Sequence, residues 1–160
     1  TERIPFPYMM LLVSGGHTQL LVAEGPDAFT LLGTTLDDAA GEAFDKAAKM
    51  MDLGFPGGRA LEETACLGNP QHVSLPMPLL NRDGCDFSFS GLKNAVRLRL
   101  AEETHAKADV AAAFQETAAR HLARQSSRAM AAAKTRWPQL RHFAVVGGVA
   151  ANSAVRRHLQ

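Results

Sequence analysis

The sequence lacks most of the signatures that would settle a function early. It has only two cysteines, Cys66 and Cys85, too far apart for a CxxC metal knuckle and too few for a disulfide scaffold. They read as small apolar residues carrying free thiols. The six histidines make no HExxH pair, which removes a zinc-protease reading. No Gly-Lys-Ser/Thr closes a phosphate loop and no GxGxxG follows a strand. No apolar run approaches the roughly 20 residues needed to cross a bilayer. Net charge is +1 from 17 basic and 16 acidic residues, so no broad basic face advertises nucleic acid. The opening Thr1-Glu2-Arg3-Ile4 has neither an initiator Met nor a signal-peptide pattern. These exclusions leave a domain of ordinary composition, 46% apolar and 21% charged over 160 residues.

What is present is ordered. Met9 to Val13 reads as a buried strand, Ser14-Gly15-Gly16-His17 as a turn, Thr18 to Ala23 as the returning strand. Gly25-Pro26-Asp27 turns again into a third strand, Phe29 to Thr35. The period then changes. Ala40, Ala43, Phe44, Ala47 and Met51 recur at helical spacing over 38–51. Gly54 ends that helix, Phe55-Pro56-Gly57-Gly58 is a loop, and a short helix follows over 59–67. Residues 68–91 look irregular. A long Ala-rich helix runs over 109–136 with Asp109 placed to cap it, and Trp137-Pro138 stops it. Phe143 to Val146 is a strand, Gly147-Gly148 follows, and a helix opens near Ala151. A meander feeding helical crossovers predicts an α/β fold, a mixed sheet with helices packed on it.

Four stretches carry chemistry. Strand–Ser14-Gly15-Gly16–strand is either a hairpin turn or a loop whose free N–H groups hold phosphate oxygens. Strand–Gly147-Gly148–helix offers a helix N-terminus to an anion, and Asn152 either caps that helix or faces a ligand. Asp38, Glu42 and Asp45, at i, i+4 and i+7, share one helical face that Lys49 continues. This face is either a solvated exterior or, with the Phe55-Pro56-Gly57-Gly58 loop, one wall of a pocket. In Asp86 to Lys93, Phe87 and Phe89 alternate with Ser88 and Ser90, which suggests an extended segment burying two rings.

Taken in register, LLVSGGHTQL, LDDAAGEAFDKAAKM, FPGG, DFSFSGLK and VVGGVAANSAVRRHL resemble successive signature segments of the TsaD family. These are the tRNA N6-adenosine threonylcarbamoyltransferases, long labelled glycoproteases. The resemblance spans the whole chain. It implies the actin-like ATPase fold (the ribonuclease H-like ASKHA class). Residues 1–160 would form a single partial domain, most of the second of two lobes and truncated at both ends. It implies that Leu12, Val13, Ser14, Gly15 and Gly16 touch the substrate nucleotide and that Asp45 binds the ribose or acyl-adenylate. Gly58 and Asn152 would lie near the adenosine, and the family's next acidic contact aligns near Glu62. The ligand implied is threonylcarbamoyl-AMP or ATP/ADP. A divalent metal, iron or zinc, is implied for the full-length parent but not for this fragment. The fragment would lack the first-lobe phosphate loop and HxxxH pair upstream and the TDNG-like ligand downstream. Cytoplasmic tRNA is the implied substrate, with TsaB-like and TsaE-like proteins as partners and no membrane. A sugar or acetate kinase of the same fold and a non-catalytic TsaB-like subunit are the competing readings.

Overall fold

The computed structural model describes residues 3–160; Thr1 and Glu2, which head the sequence, lie outside them. Three strands come first: β1 (Tyr8–Val13), β2 (Thr18–Gly25) and β3 (Ala28–Thr34). Helices α1 (Ala40–Met50), α2 (Gly57–Ala65), α3 (Ser90–Ala101) and α4 (Lys107–Arg136) follow, then β4 (His142–Val146) and α5 (Ser153–Leu159). The strands form one sheet in the order β3-β2-β1-β4. β1 pairs antiparallel with β2, and β2 with β3, as the tight turns require. β4 pairs parallel with β1, from Tyr8 opposite His142 to Leu12 opposite Val146, after a crossover containing all four preceding helices. The expected mixed sheet is therefore present.

Side-chain alternation chooses the core face. Met9, Leu11 and Val13 of β1 and Leu20 and Val22 of β2 are buried. On them lie the small residues of α1, Ala40, Ala43, Ala47 and Ala48, together with Phe44. Alanine lets helices approach closely, and Phe44 fills the resulting gap edge-on against Phe114 of α4, centroids 5.0 Å apart. With 30 residues, α4 is about 45 Å long and runs past α2, α3 and α5. Phe87 and Phe89 are both fully buried and nearly parallel, with the His121 ring edge-on to each. Phe87 bridges to Thr35, so this segment is the extended ring-burying stretch the alternation predicts.

Two expectations need correction. Helix α3 is absent from the sequence reading because its start signal is not local. Asp37 accepts hydrogen bonds from Phe89 N and Ser90 N and from both the Ser88 and Ser90 hydroxyls, 51 to 53 residues away. Burial pushes the Asp37 carboxyl up, and these four donors more than reverse it, holding it below the usual range. Asp109 does not cap α4. The helix opens at Lys107, and Asp109, inside the first turn, takes Asn69 N (2.7 Å) and His72 Nδ1 (2.9 Å) instead. The helix expected to open near Ala151 is present, its start displaced by two residues. Gly148–Ala151 form a single 3₁₀ turn, and α5 starts only at Ser153.

A candidate nucleotide cleft at the ends of β1 and β4

Two glycine-bearing loops leave the sheet side by side, because β1 and β4 are parallel neighbours. The β1–β2 turn is closed from within: Ser14 Oγ accepts from Gly16 N (3.3 Å) and His17 N (3.0 Å), and Ser14 N donates to the His17 carbonyl. Gly147, after β4, has φ +109°, and a Cβ there would stand 2.0 Å from the Val13 carbonyl oxygen. Only glycine lets the second loop lie directly against the first. Gly41 does the same for α1. Its amide donates to Ser14 O (3.1 Å), and a Cβ would meet that oxygen at 2.7 Å. The helix N-terminus thus docks on the Ser14-Gly15 turn, with Ala40 N bound by the buried Thr18 hydroxyl.

Asp45 is where α1 meets α2. Its Oδ1 accepts from Gly57 N at 2.8 Å, serving the first turn of α2, whose own N-cap is Pro56 with no side-chain bond to offer. A Cβ on Gly57 would sit 2.3 Å from Ala48 Cβ, so the two helices pack backbone to backbone there. The expected row of acids is split by the structure. Asp38 precedes α1 and pairs with Lys46 (3.1 Å) and Lys93 (2.8 Å), and Glu42 pairs with Lys46 (2.7 Å). Partial burial acts to raise the Asp38 pKa, but the two lysines win and hold it below its usual range. Lys49, expected to extend the row, makes no ion pair among the described residues and stands exposed.

The far wall comes from α2 and α5. Glu62 Oε1 accepts from both the amide (2.8 Å) and the hydroxyl of Ser153, 91 residues away. Asn152, 8% exposed, caps α5 through Oδ1 to Val155 N (3.0 Å) and donates from Nδ2 to Gln115 Oε1 (2.8 Å). Asn152 is thus a helix cap that also stands on the cleft.

These elements enclose a cleft of about 490 Å³ lined by Gly15, Asp45, Gly58, Glu62, Gly148 and Asn152, among others. That volume is ordinary for a small-molecule site. Gly15, Gly58 and Gly148 have open space where a side chain would stand, so a ligand can approach their backbone. Of the residues singled out from sequence, Gly15, Asp45, Gly58, Glu62 and Asn152 come together here. Gly16 and Ser14 lie on the turn beside the cleft. Val13 is buried in the core and Leu12 half-buried on the sheet, so neither lines it. Gly41 and Gln115 were missed, and so was the close approach of Gly147 to Val13. Gly41 had a signal, a glycine inside a helical pattern, which costs about 1 kcal/mol against alanine unless packing needs it. A second cleft, of about 730 Å³, adjoins the first and shares Gly15 and Asp45 with it. Among the described residues no three His, Cys, Asp or Glu side chains gather to hold a metal ion.

The fold has solved counterparts. The activator of 2-hydroxyisocaproyl-CoA dehydratase from Clostridium difficile, with bound ADPNP, superposes with a TM-score of 0.55 at 18% identity. The match covers 98% of this chain and 51% of that one. Component A of (R)-2-hydroxyglutaryl-CoA dehydratase from Acidaminococcus fermentans matches equally well, covering 97% and 52%. The fold is the actin-like ATPase fold. Among curated proteins, the tRNA N6-adenosine threonylcarbamoyltransferase of Paramagnetospirillum magneticum is 53% identical over 99% of this chain and 47% of its own length. That of Maricaulis maris is 50% identical over 100% and 44%. The chain therefore spans less than half the length of the curated relatives it matches. The profile of the TsaD family, described as tRNA N6-adenosine threonylcarbamoyltransferase, matches residues 1–160, and the chain belongs to that family.

Proposed function

We propose that this chain is most of the second lobe of a threonylcarbamoyltransferase and that its 490 Å³ cleft holds the adenylate part of threonylcarbamoyl-AMP. The whole protein then moves the threonylcarbamoyl group to N6 of the adenosine just 3′ of the anticodon in tRNA. The observation that carries the reading is the meeting of Gly15, Asp45, Gly58, Glu62 and Asn152, from four separate segments, on one cleft. Asp45 and Glu62 each spend one carboxylate oxygen inside the protein and have a second without a protein partner among the described residues. Such oxygens suit ribose hydroxyls, which donate. The bare backbone at Gly15 and Gly148 suits the phosphate, and the Ser14 hydroxyl must release Gly16 N for that amide to join.

In the transfer, the adenine amine nitrogen bonds to the carbamoyl carbon and the carbon–oxygen bond to phosphate breaks. The electron pair leaves with AMP, and one amine proton passes to water. The chain's contribution is to orient the donor so that the carbonyl faces out of the cleft at Gly15. A divalent metal, and TsaB-like and TsaE-like partners, belong to the whole protein in this reading, since no three His, Cys, Asp or Glu side chains gather among the described residues. No helix among the described residues is long and apolar enough to cross a membrane; the proposed enzyme works in the cytoplasm because its tRNA substrate is there.

Calorimetry on the full-length protein with AMP and ADP tests the cleft. Glu62→Ala and Gly58→Val should each weaken binding roughly tenfold or more, the cost of one lost charge-assisted hydrogen bond or of a filled site. Unchanged affinity in both variants would remove the nucleotide from this cleft.

A further inference from the structure

A second cleft opens beside the first. It is lined by α1 side chains Glu42, Lys46 and Lys49, by Asp52, and by Phe55 at its rim. Phe55 is 86% exposed, the most exposed of the large apolar residues, on a loop anchored immediately afterwards by Pro56 and the Gly57–Asp45 hydrogen bond. An exposed ring on an anchored loop is a ready stacking face.

Charge narrows the occupant. Glu42 and Lys46 neutralise each other at 2.7 Å, and Lys46 also serves Asp38. What remains among the described residues is one unpaired cation, Lys49, at the edge, with the Asp52 and Asp45 carboxylates facing the same space. An unaccompanied phosphate gains little there. A neutral heterocycle with an exocyclic amine fits better: the ring stacks on Phe55, the amine donates to a carboxylate, and the flanking phosphate meets Lys49. The connection between the clefts supplies the direction. Gly15 and Asp45 line both. If the donor's adenylate fills the first cleft, its acyl carbon lies at that junction, and a nucleophile must arrive from the other side.

We propose that the second cleft is the acceptor site, where the extruded tRNA adenine stacks on Phe55 with its amine directed to the Gly15–Asp45 junction and its backbone steered by Lys49. This rests on the donor assignment above, and the two are tested separately.

The experiment uses the full-length enzyme with its tRNA. Three substitutions, Phe55→Ala, Phe55→Leu and Phe55→Trp, are compared in transfer kinetics and in AMP calorimetry. Base stacking on an aromatic is strong enough that Phe55→Ala should raise KM for tRNA roughly tenfold or more. Phe55→Leu should be nearly as poor, and Phe55→Trp should restore KM. AMP affinity should stay within about twofold in all three, and so should the melting temperature within a few degrees, because the ring is exposed. Lys49→Ala should flatten the salt dependence of KM by about one ion. A tRNA KM indifferent to Phe55→Ala, or rescued by Leu as well as by Trp, overturns the stacking role. An equal loss of AMP affinity places Phe55 at the donor cleft and overturns the acceptor site while leaving nucleotide binding intact.

Discussion

Asp45 separates folding from binding in a way its sequence position conceals. It lies off the apolar stripe of Ala40, Ala43, Phe44 and Ala47, so from sequence alone Asp45→Ala should cost about 0.5 kcal/mol or less. The structure revises that expectation. Asp45 Oδ1 holds Gly57 N at 2.8 Å and supplies negative charge to a helix start with no other cap. Losing a cap costs about 1 kcal/mol, and losing the charge at a helix N-terminus adds about 0.3–1 kcal/mol. Asp45→Ala should therefore lower stability by about 1–2 kcal/mol, a fall in Tm of roughly 3–8 °C for a unit this size. If Oδ2 also binds the nucleotide, affinity falls by a further ten- to hundredfold, the equivalent of about 1.5–3 kcal/mol. Asp45→Asn distinguishes the two. It keeps an acceptor for Gly57 and loses the charge, so it should recover most of the Tm but not the affinity. Differential scanning calorimetry and nucleotide titration on wild type, Asp45→Ala and Asp45→Asn give both numbers. The reasoning fails if both variants bind nucleotide like wild type. It fails equally if Asp45→Ala melts like wild type, since the Gly57 hydrogen bond would then contribute nothing.

Adjacent glycines give a sharper pair. Gly57→Ala puts a methyl 2.3 Å from Ala48 Cβ and should destabilise by about 1–3 kcal/mol in urea titration, whereas Gly58→Ala meets open space and should hold or slightly raise the midpoint. His121 sets a pH dependence. It is fully buried, and desolvation first, then the Arg124 charge, lowers its pKa from 6.5 to about 4. The unfolded chain therefore binds more protons between those values, so its neutral-form stability is complete above about pH 6.5 and is lost as pH falls toward 4. From pH 7 to pH 5 the loss should be about 2 kcal/mol. Urea midpoints at the two pH values check it, and a His121→Gln variant should show a flatter profile; equal slopes would contradict the assignment.

The sheet was legible because strands with a single buried face must alternate, and β1 and β2 do. Helix α1 was legible because its small apolar residues keep a helical period. Helix α3 was not, since only Leu92 and Val96 are buried on it and its cap arrives from Asp37, more than fifty residues upstream. The same limit applies at the cleft. Gly15 and Gly58 announce themselves as glycines in loops, but nothing local in Glu62 says that it will meet Ser153, nor in Gly147 that it must admit the Val13 carbonyl. Asp109 misled because an acid in a first helical turn resembles a cap whether or not its oxygens turn back on their own helix. Local chemistry is readable from a chain; a partner ninety residues away becomes visible only once the chain has folded.

The Glu62–Ser153 contact has a further consequence. It joins α2 to α5 across a loop of 91 residues, and with Asn152–Gln115 it fixes both far walls of the cleft to α4. Closing a loop of that length is an entropic debt settled when the protein folds. If the cleft takes the proposed nucleotide, that ligand finds the walls already at their final separation and has little left to immobilise except itself. Affinity at such a site is governed by how quickly the ligand escapes, and loosening the Ser153 end should shorten its residence far more than it slows its arrival.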